Sequence, residues 1–465
     1  MRRKILLALG LGGIVIVVTW LIYAAVRPSY LTPEGASAQA KAGKVAELVR
    51  DKCMSCHTRG YDLPFYASVP GIKQIIETDY RDGLRAMDLN PEFSEDGSAK
   101  RVGEATLAKM EWVMVNETMP PAKFTAVHWN SRMSREERAF VLEWVISTRA
   151  AHYATGMAAK DKAGEPLQPL PKSLPVNEAK VALGHTLFND KRLSGDGTVA
   201  CATCHQTEKA GTDNLRFAEG VNKQRGDINA PTTFNAVFNV RQFWNGRAAD
   251  LGEQAGGPPF NPIEMASKDW DQVIAKLARD EGLTKAFTAV YPDGWSGKNI
   301  EDAIAEYEKT LITPNGRFDQ WLMGKADAVT AKEVEGYRLF KAYRCSSCHV
   351  GKSVGGQSFE YVDLKKDYFA DRGGPLGSDE GLRGFSKKEE DLHKFKVPNL
   401  RNIELTAPYM HDGTVTSLDE TVRIMGVYLS GMDIPKGDRD SIVAFLRTLT
   451  GEYQGQKLLG QAVAE

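Results

Sequence analysis

Net charge is almost absent from this sequence: 59 Lys and Arg stand against 60 Asp and Glu, a formal charge of −1. Phosphate backbones demand a clearly basic face, so nucleic acid is excluded as a partner. Cysteine is scarce too, six in 465 residues, and none is left over for a disulfide framework, because all six fall into one repeated pattern. Strand signals are few, which makes the expected fold class mainly α. A hydrophobic content of 42% with 26% charged residues is that of a folded globular chain and excludes disorder. At roughly 150 residues per domain, about three domains are expected.

The one long apolar run is N-terminal. Arg2, Arg3 and Lys4 precede an uncharged stretch from Ile5 to Val26, closed by Arg27 and Pro28. At about 1.5 Å per residue such a run spans a bilayer, and the positive charges ahead of it place the bulk of the chain outside the cytoplasm. The competing reading is a cleaved signal peptide ending near Ala36-Ser37-Ala38, but the run exceeds the roughly 7 to 15 residues of a signal core. The expected location is therefore a bacterial inner membrane, single-pass, with the remaining domains in the periplasm.

The cysteines form Cys53-Met54-Ser55-Cys56-His57, Cys201-Ala202-Thr203-Cys204-His205 and Cys345-Ser346-Ser347-Cys348-His349. Cys-x-x-Cys-His is the covalent c-type haem site: two thiols add to the vinyl groups and the adjacent histidine reaches the iron. Zinc would need two such pairs close together, and a redox dithiol has no need of the histidine. Three haems c, with His57, His205 and His349 as iron ligands, are expected. Starts at 53, 201 and 345 are each about one domain length apart.

A faint repeat supports one haem per domain. Gly184-His185-Thr186-Leu187-Phe188 precedes the second motif, Gly336-Tyr337-Arg338-Leu339-Phe340 the third, and Lys44 to Arg50 reads as a helix before the first. Closing helices are expected at Arg138 to Thr148 and Asp438 to Leu449. The resulting architecture is three cytochrome c-like haem domains in tandem behind one transmembrane helix. The divisions are 1–27 (cytoplasmic tip and anchor), 28–43 (linker), 44–155 (first haem domain), 156–175 (Pro- and Gly-rich extended spacer), 176–328 (second) and 329–465 (third).

The opposite face of each iron decides function, since a sixth ligand makes a carrier and an open face a catalyst. Met119, followed by Pro120-Pro121, is favoured as sixth ligand of the first haem over a plain loop methionine. Met110 and Met114 read as core.

From Gly184 to Leu449 the sequence resembles the bacterial dihaem cytochrome c peroxidases, and the whole chain resembles their trihaem, membrane-anchored relatives, the quinol peroxidases. The resemblance rests on Asn229-Ala230-Pro231-Thr232, Asn235 to Asn239, Gln242-Phe243-Trp244-Asn245-Gly246-Arg247, Gln254 to Pro258, Asn261-Pro262-Ile263-Glu264-Met265, Leu400-Arg401-Asn402 and Ala407 to Gly413. It implies a peroxidatic second domain, with Gln254 and Glu264 lining the face where hydrogen peroxide binds. Without it, Glu264 in its loop would read as a solvated acid. The chemistry suits a carboxylate that moves a proton between the two peroxide oxygens, with an amide to bond the developing charge.

The resemblance also implies His349 and Met425 as the axial pair of an electron-donating third domain. Related enzymes that oxidise protein tryptophan carry tyrosine where Met425 stands. Trp244 is implied between the haems for electron transfer, with a buried interface aromatic as the bland alternative. Asn229 and the carbonyls of Thr406 and Pro408 match a calcium site. His411 matches the family's pattern near the donor haem, and a hydrogen-bonded core histidine fits equally. Between Gly211 and Asp227 there is no histidine, where many dihaem members carry one that blocks the peroxidatic iron; Val221 holds the matching position.

The expected activity is reduction of hydrogen peroxide to water, with electrons from quinol or a small c-type cytochrome passing from the first haem through the third to the second. Homodimerisation is allowed for. The alternatives are a non-catalytic multihaem electron-transfer cytochrome and a redox-sensing or scaffold cytochrome.

Overall fold

The structure is a computed structural model and describes residues 38–60, 65–93 and 101–459. The Ile5 to Val26 run lies outside the described residues, none of whose helices is long and apolar enough to cross a membrane. Helices dominate, with two small antiparallel pairs, Phe359–Tyr361 with Lys394–Lys396 and Glu452–Tyr453 with Gln456–Lys457.

Each cysteine motif follows an opening helix that is crossed by a closing helix. Near the first motif, Ala38–Lys52 meets Arg135–His152, and Val45, Leu48 and Val49 bury against Phe140, Val141, Trp144 and Val145. The second helix starts at a reciprocal cap: the Ser134 hydroxyl accepts from the Glu137 amide at 3.1 Å, and Glu137 Oε2 accepts from the Ser134 amide at 2.6 Å. The opening helix begins at Ala38, inside the segment expected to be a linker to residue 43. Three alanines in its first five residues are strong helix formers, and Lys41 buries its stem to reach Glu143.

The repeat around Gly184 and Gly336 has a packing cause. Glu178–Phe188 crosses Gly297–Glu308, and Ala331–Ala342 crosses Lys436–Arg447. A Cβ on Gly184 would lie 1.9 Å from the Ala303 carbonyl oxygen, and one on Gly336 would lie 1.9 Å from that of Ser441. Only glycine lets the helices approach so closely, while Leu187, Phe188, Leu339 and Phe340 bury one turn on. Gly336→Ala should therefore destabilise by about 1–3 kcal/mol or more through overpacking against backbone, as read by denaturant unfolding. An unchanged midpoint would show that this crossing relaxes freely.

Two expectations need correction. Residues 156–175 are extended but not a loose spacer. Leu167 and Leu170 are fully buried, the Gly351 amide donates to the Pro166 carbonyl at 2.8 Å, and Arg401 Nη2 donates to the Gln168 carbonyl at 2.9 Å. The prolines remove donors, yet their neighbours supply apolar side chains that cover the third core. The boundary at 328 is likewise displaced in packing, because Phe318 and Leu322 join the third core with Phe340 and Phe445. The terminal hairpin runs back the other way, setting Tyr453 on Phe234 of the second core with ring centroids 4.9 Å apart.

The three cores are stitched together. Asn235 and Asn402, each in the left-handed region at the start of a short 3-10 turn, both donate from Nδ2 to the Thr313 hydroxyl, at 2.8 and 3.0 Å. The helix Glu104–Val115 lies on the Cys345–Ser347 turn, burying Ala105 and Ala108 against Val350. Around that contact Trp112 Nε1 donates to the Ala342 carbonyl at 3.0 Å, and Lys109–Glu360, Arg85–Asp363 and Arg59–Glu390 form ion pairs of 2.8 to 2.9 Å.

Candidate functional site

In each motif one tight turn brings two thiols and an imidazole together. The amide of His57 donates to the Cys53 carbonyl at 3.2 Å, and those of His205 and His349 donate to the Cys201 and Cys345 carbonyls at 3.0 Å. None of the six cysteines forms a disulfide. Burial pushes the thiols of Cys53, Cys201, Cys204, Cys345 and Cys348 up to about 12 and raises Cys56 as well, so these are not reactive thiolates. Each ring is held by the same device: Nδ1 of His57, His205 and His349 lies 3.0, 3.3 and 3.3 Å from the carbonyls of Met87, Gly211 and Val354. A carbonyl only accepts, so Nδ1 carries the proton and Nε2 keeps its lone pair. Burial lowers the pKa of all three, His349 to about 4, which keeps them neutral as metal binding requires.

The second and third motifs open into one cavity of about 730 Å³. Cys201, Cys204, His205, Cys345, Cys348 and His349 all line it. A mainly apolar space with thiols and neutral imidazoles on its wall fits macrocyclic haem, and no group of metal-ligating side chains among the described residues offers a rival zinc site.

Gln254, Glu264, Trp244 and Met425 reach the same cavity. Gln254 comes from the short helix Leu251–Ala255, capped by the Asp250 carboxylate, which accepts from the Glu253 amide at 2.9 Å. Glu264 lies in a turn organised by Asn261, whose carbonyl accepts from the amides of Glu264, Met265 and Ala266 at 3.1, 3.1 and 2.9 Å. Asn261 Oδ1 accepts from the Ile263 amide at 3.1 Å, which fixes the amide plane so that Nδ2 donates to Glu264 Oε1 at 2.6 Å. Burial raises the Glu264 pKa; the Arg247 charge and the Asn261 bond oppose it. Arg247 stacks its guanidinium 3.4 Å over the Phe243 ring and also lines the cavity. A half-buried carboxyl whose pKa burial raises holds a proton more readily than a solvated one, which suits it to take and return a proton.

Trp244 and His411 occupy equivalent turns. Gln242 bridges Ala248 and Tyr409 bridges Val415; Phe243 and Met410 have φ of 65° and 70°, and Gly246 and Gly413 of 70° and 58°. The two rings meet edge to face, centroids 6.4 Å apart, with Asn229 between their backbones. Trp244 Nε1 donates to the Asn229 carbonyl at 2.9 Å, and the Asn229 amide donates to the His411 carbonyl at 2.8 Å. His411 is buried with Nε2 2.7 Å from Asp379 Oδ1, the core arrangement. Asn229 spends its Nδ2 on the Leu215 and Arg216 carbonyls, which leaves Oδ1 as the side chain's acceptor. Thr406 and Pro408 reach the cavity beside it.

Met425 ends the helix Leu418–Ile424, which starts at the Ser417 cap, and opens a π-helical turn over Met425–Ser430. Such turns re-aim a side chain without ending the helix. Met119 is half-buried between Glu104–Val115 and Ala122–Val127. Val221 packs in the second core, and its amide donates to the Glu264 carbonyl at 2.9 Å. The histidines on the cavity wall are His205, His349 and His411; His185 is exposed on its helix, against Tyr307.

A curated relative, the cytochrome c peroxidase of Escherichia coli (strain K12), is 48% identical over 419 residues, covering 90% of each chain. The chain belongs to the bacterial dihaem cytochrome c peroxidase family. The family's di-haem cytochrome c peroxidase model matches residues 178–327, and a haem-binding domain model matches residues 14–147. The cytochrome c551 peroxidase of Nitrosomonas europaea is 42% identical and aligns with 67% of this chain and 91% of its own length. Among solved structures, a MauG-like protein associated with microbial copper homeostasis superposes with a TM-score of 0.55 at 28% identity, covering 61% of this chain and 95% of its own.

The peroxidase-like motifs contain residues to which sequence reasoning assigned no role. Arg247 and Asn261 stand inside Gln242 to Arg247 and Asn261 to Met265, yet nothing in those stretches signals that both act on Glu264. Lys396 and Glu308 sit outside those stretches; both are buried and line the cavity.

Proposed function

We propose that this peroxidase carries three haems c and reduces hydrogen peroxide to two waters at the second motif, drawing electrons from quinol or a small c-type cytochrome through the first. As a family member it is a c-type haem oxidoreductase acting on peroxide. The observation that supports this reading best is a single cavity whose wall carries His205, Gln254 and Glu264 as well as Trp244, His349 and Met425.

Bound haem supplies a coordination site for peroxide and the electrons that break its O–O bond. Around it, Glu264 takes the proton from the near peroxide oxygen and delivers it to the far one, which leaves as water. Its Oε1 is held by Asn261, so Oε2 is the proton-carrying atom. Gln254 bonds the developing charge. Two electrons and two protons in all balance the reaction. Trp244, on the wall of the cavity that both motifs share, is assigned to electron transfer, and His349 with Met425 to the donor haem. The first unit, seated on the third motif through Glu104–Val115, supports entry of electrons there.

Calcium is assigned to the Asn229 amide oxygen with the Thr406 and Pro408 carbonyls, a neutral oxygen set that water completes. The apolar run Ile5 to Val26 supports an inner-membrane anchor with periplasmic haem domains. Turnover of peroxide with a quinol or a small reduced cytochrome, alongside a haem count on the purified full chain, tests the reading. Absence of turnover with both donors overturns it in favour of a plain electron carrier.

Met119 is assigned as the sixth ligand of the first haem. Met119→Ala should lower that haem's potential and slow reduction by the donor, because a thioether ligand is lost. An unchanged potentiometric titration would assign the position to another residue.

A further inference from the structure

The cavity wall holds a lysine that the reaction does not use. Lys396 ends the strand Lys394–Lys396 and retains only 6% of its surface exposed. Its neighbour Lys394 is paired with Asp391 at 3.1 Å, and Lys109, also on the cavity wall, is paired with Glu360 at 2.8 Å. Lys396 has no such partner: among the described residues no carboxylate pairs with its Nζ, and burial alone pulls its pKa down, to about 8. A buried ammonium without a counter-charge is costly, and proteins keep one there when something anionic meets it.

Its place in the chain says where that anion lies. The Lys396 amide donates to the Trp244 carbonyl at 2.8 Å, which ties the residue to an aromatic on the wall of the cavity that the two motifs share. Two residues on, the Pro398 carbonyl faces the His349 ring. Lys396 thus lines the cavity together with Trp244, Cys345, Cys348 and His349. A haem bonded to Cys345 and Cys348 would carry two propionate carboxylates, the kind of anion that Lys396 lacks among the described side chains.

We propose that Lys396 is the counter-ion of a propionate on the haem held by Cys345, Cys348 and His349, and thereby a positioning residue that sets that haem's potential. The inference rests on the haem reading above. A fixed positive charge beside the macrocycle stabilises the reduced state, which carries one positive charge fewer, and so raises the potential of the centre that receives electrons from the first unit. It also ties the haem edge to Trp244 through one residue.

The test is a spectroelectrochemical titration of the full chain, wild type against Lys396→Met, Lys396→Gln and Lys396→Arg. The expected result is a downward shift of the His349 haem potential in the Met and Gln variants, with the other haems unmoved and with Lys396→Arg close to wild type. Gln is the fallback if Met disturbs folding. Unchanged potentials in a fully loaded neutral variant overturn the proposal, as does a shift confined to the His205 haem or a failure of Arg to preserve the wild-type value. A haem count lacking covalent haem at Cys345 and Cys348 would instead overturn the haem reading itself.

Discussion

Glu264→Gln should lose about 10²- to 10⁴-fold in peroxide turnover while keeping every haem attached, the range expected when a general acid–base group is deleted. Glutamine keeps the shape and still accepts from Asn261 Nδ2, so the turn and the cavity wall survive. What disappears is an atom that can gain and lose a proton. Burial raises the pKa of the wild-type carboxyl, so its charged form, the one that accepts the first proton, is depleted as pH falls through that raised value. The wild-type rate should accordingly decline on the acid side, and the variant's residual rate should lack that limb. Steady-state turnover across pH, with haem spectra as the control for attachment, decides the matter; near wild-type turnover in the variant would remove Glu264 from its assigned role.

The second large effect concerns access. The fully oxidised protein should bind cyanide or peroxide at the His205 haem at once, where a member with a blocking histidine would bind nothing until its donor haem is reduced. That gate is a redox-driven population shift of a loop carrying an iron ligand. Here the corresponding loop carries Val221, which cannot ligate iron and packs in the second core. The loop is also tied to the acid. Val221 donates its amide to the Glu264 carbonyl, and a Cβ on Gly220 would come within 2.0 Å of the Ile263 carbonyl oxygen. Of the other wall histidines, His349 belongs to the third motif and His411 is engaged by Asp379. Optical titration of the oxidised protein reads the outcome: prompt binding agrees with an open site, and a six-coordinate protein that binds only after partial reduction refutes it.

Much of the molecule was legible before folding, for a local reason. A c-type attachment site is written in five consecutive residues, so Cys53 to His57, Cys201 to His205 and Cys345 to His349 could be read one by one. Amphipathic helices were equally readable, because Val45, Leu48 and Val49 or Ile442 and Leu446 repeat with the helical period. Gly184 and Gly336 were visible as a repeat but not as close helix crossings, since the carbonyls they meet lie more than a hundred residues further on. The proline-rich stretch 156–175 misled because composition reports missing donors and turn tendency, whereas burial of Leu167 and Leu170 depends on what the chain lies against.

By itself, then, the sequence determined a helical chain with three Cys-x-x-Cys-His motifs, each supplying two thiols and one imidazole, and the stretches from Asn229 to Gly413 that carried the family. The tertiary structure alone decided that the second and third motifs open into one cavity, that Asn261 fixes one oxygen of Glu264 while Arg247 biases its charge, and that Lys396 stands buried next to Trp244 with no carboxylate partner among the described residues. The physical reason is range. Covalent attachment and helical periodicity act between residues a few positions apart, whereas burial, desolvation and the pairing of charges depend on which distant segments pack together.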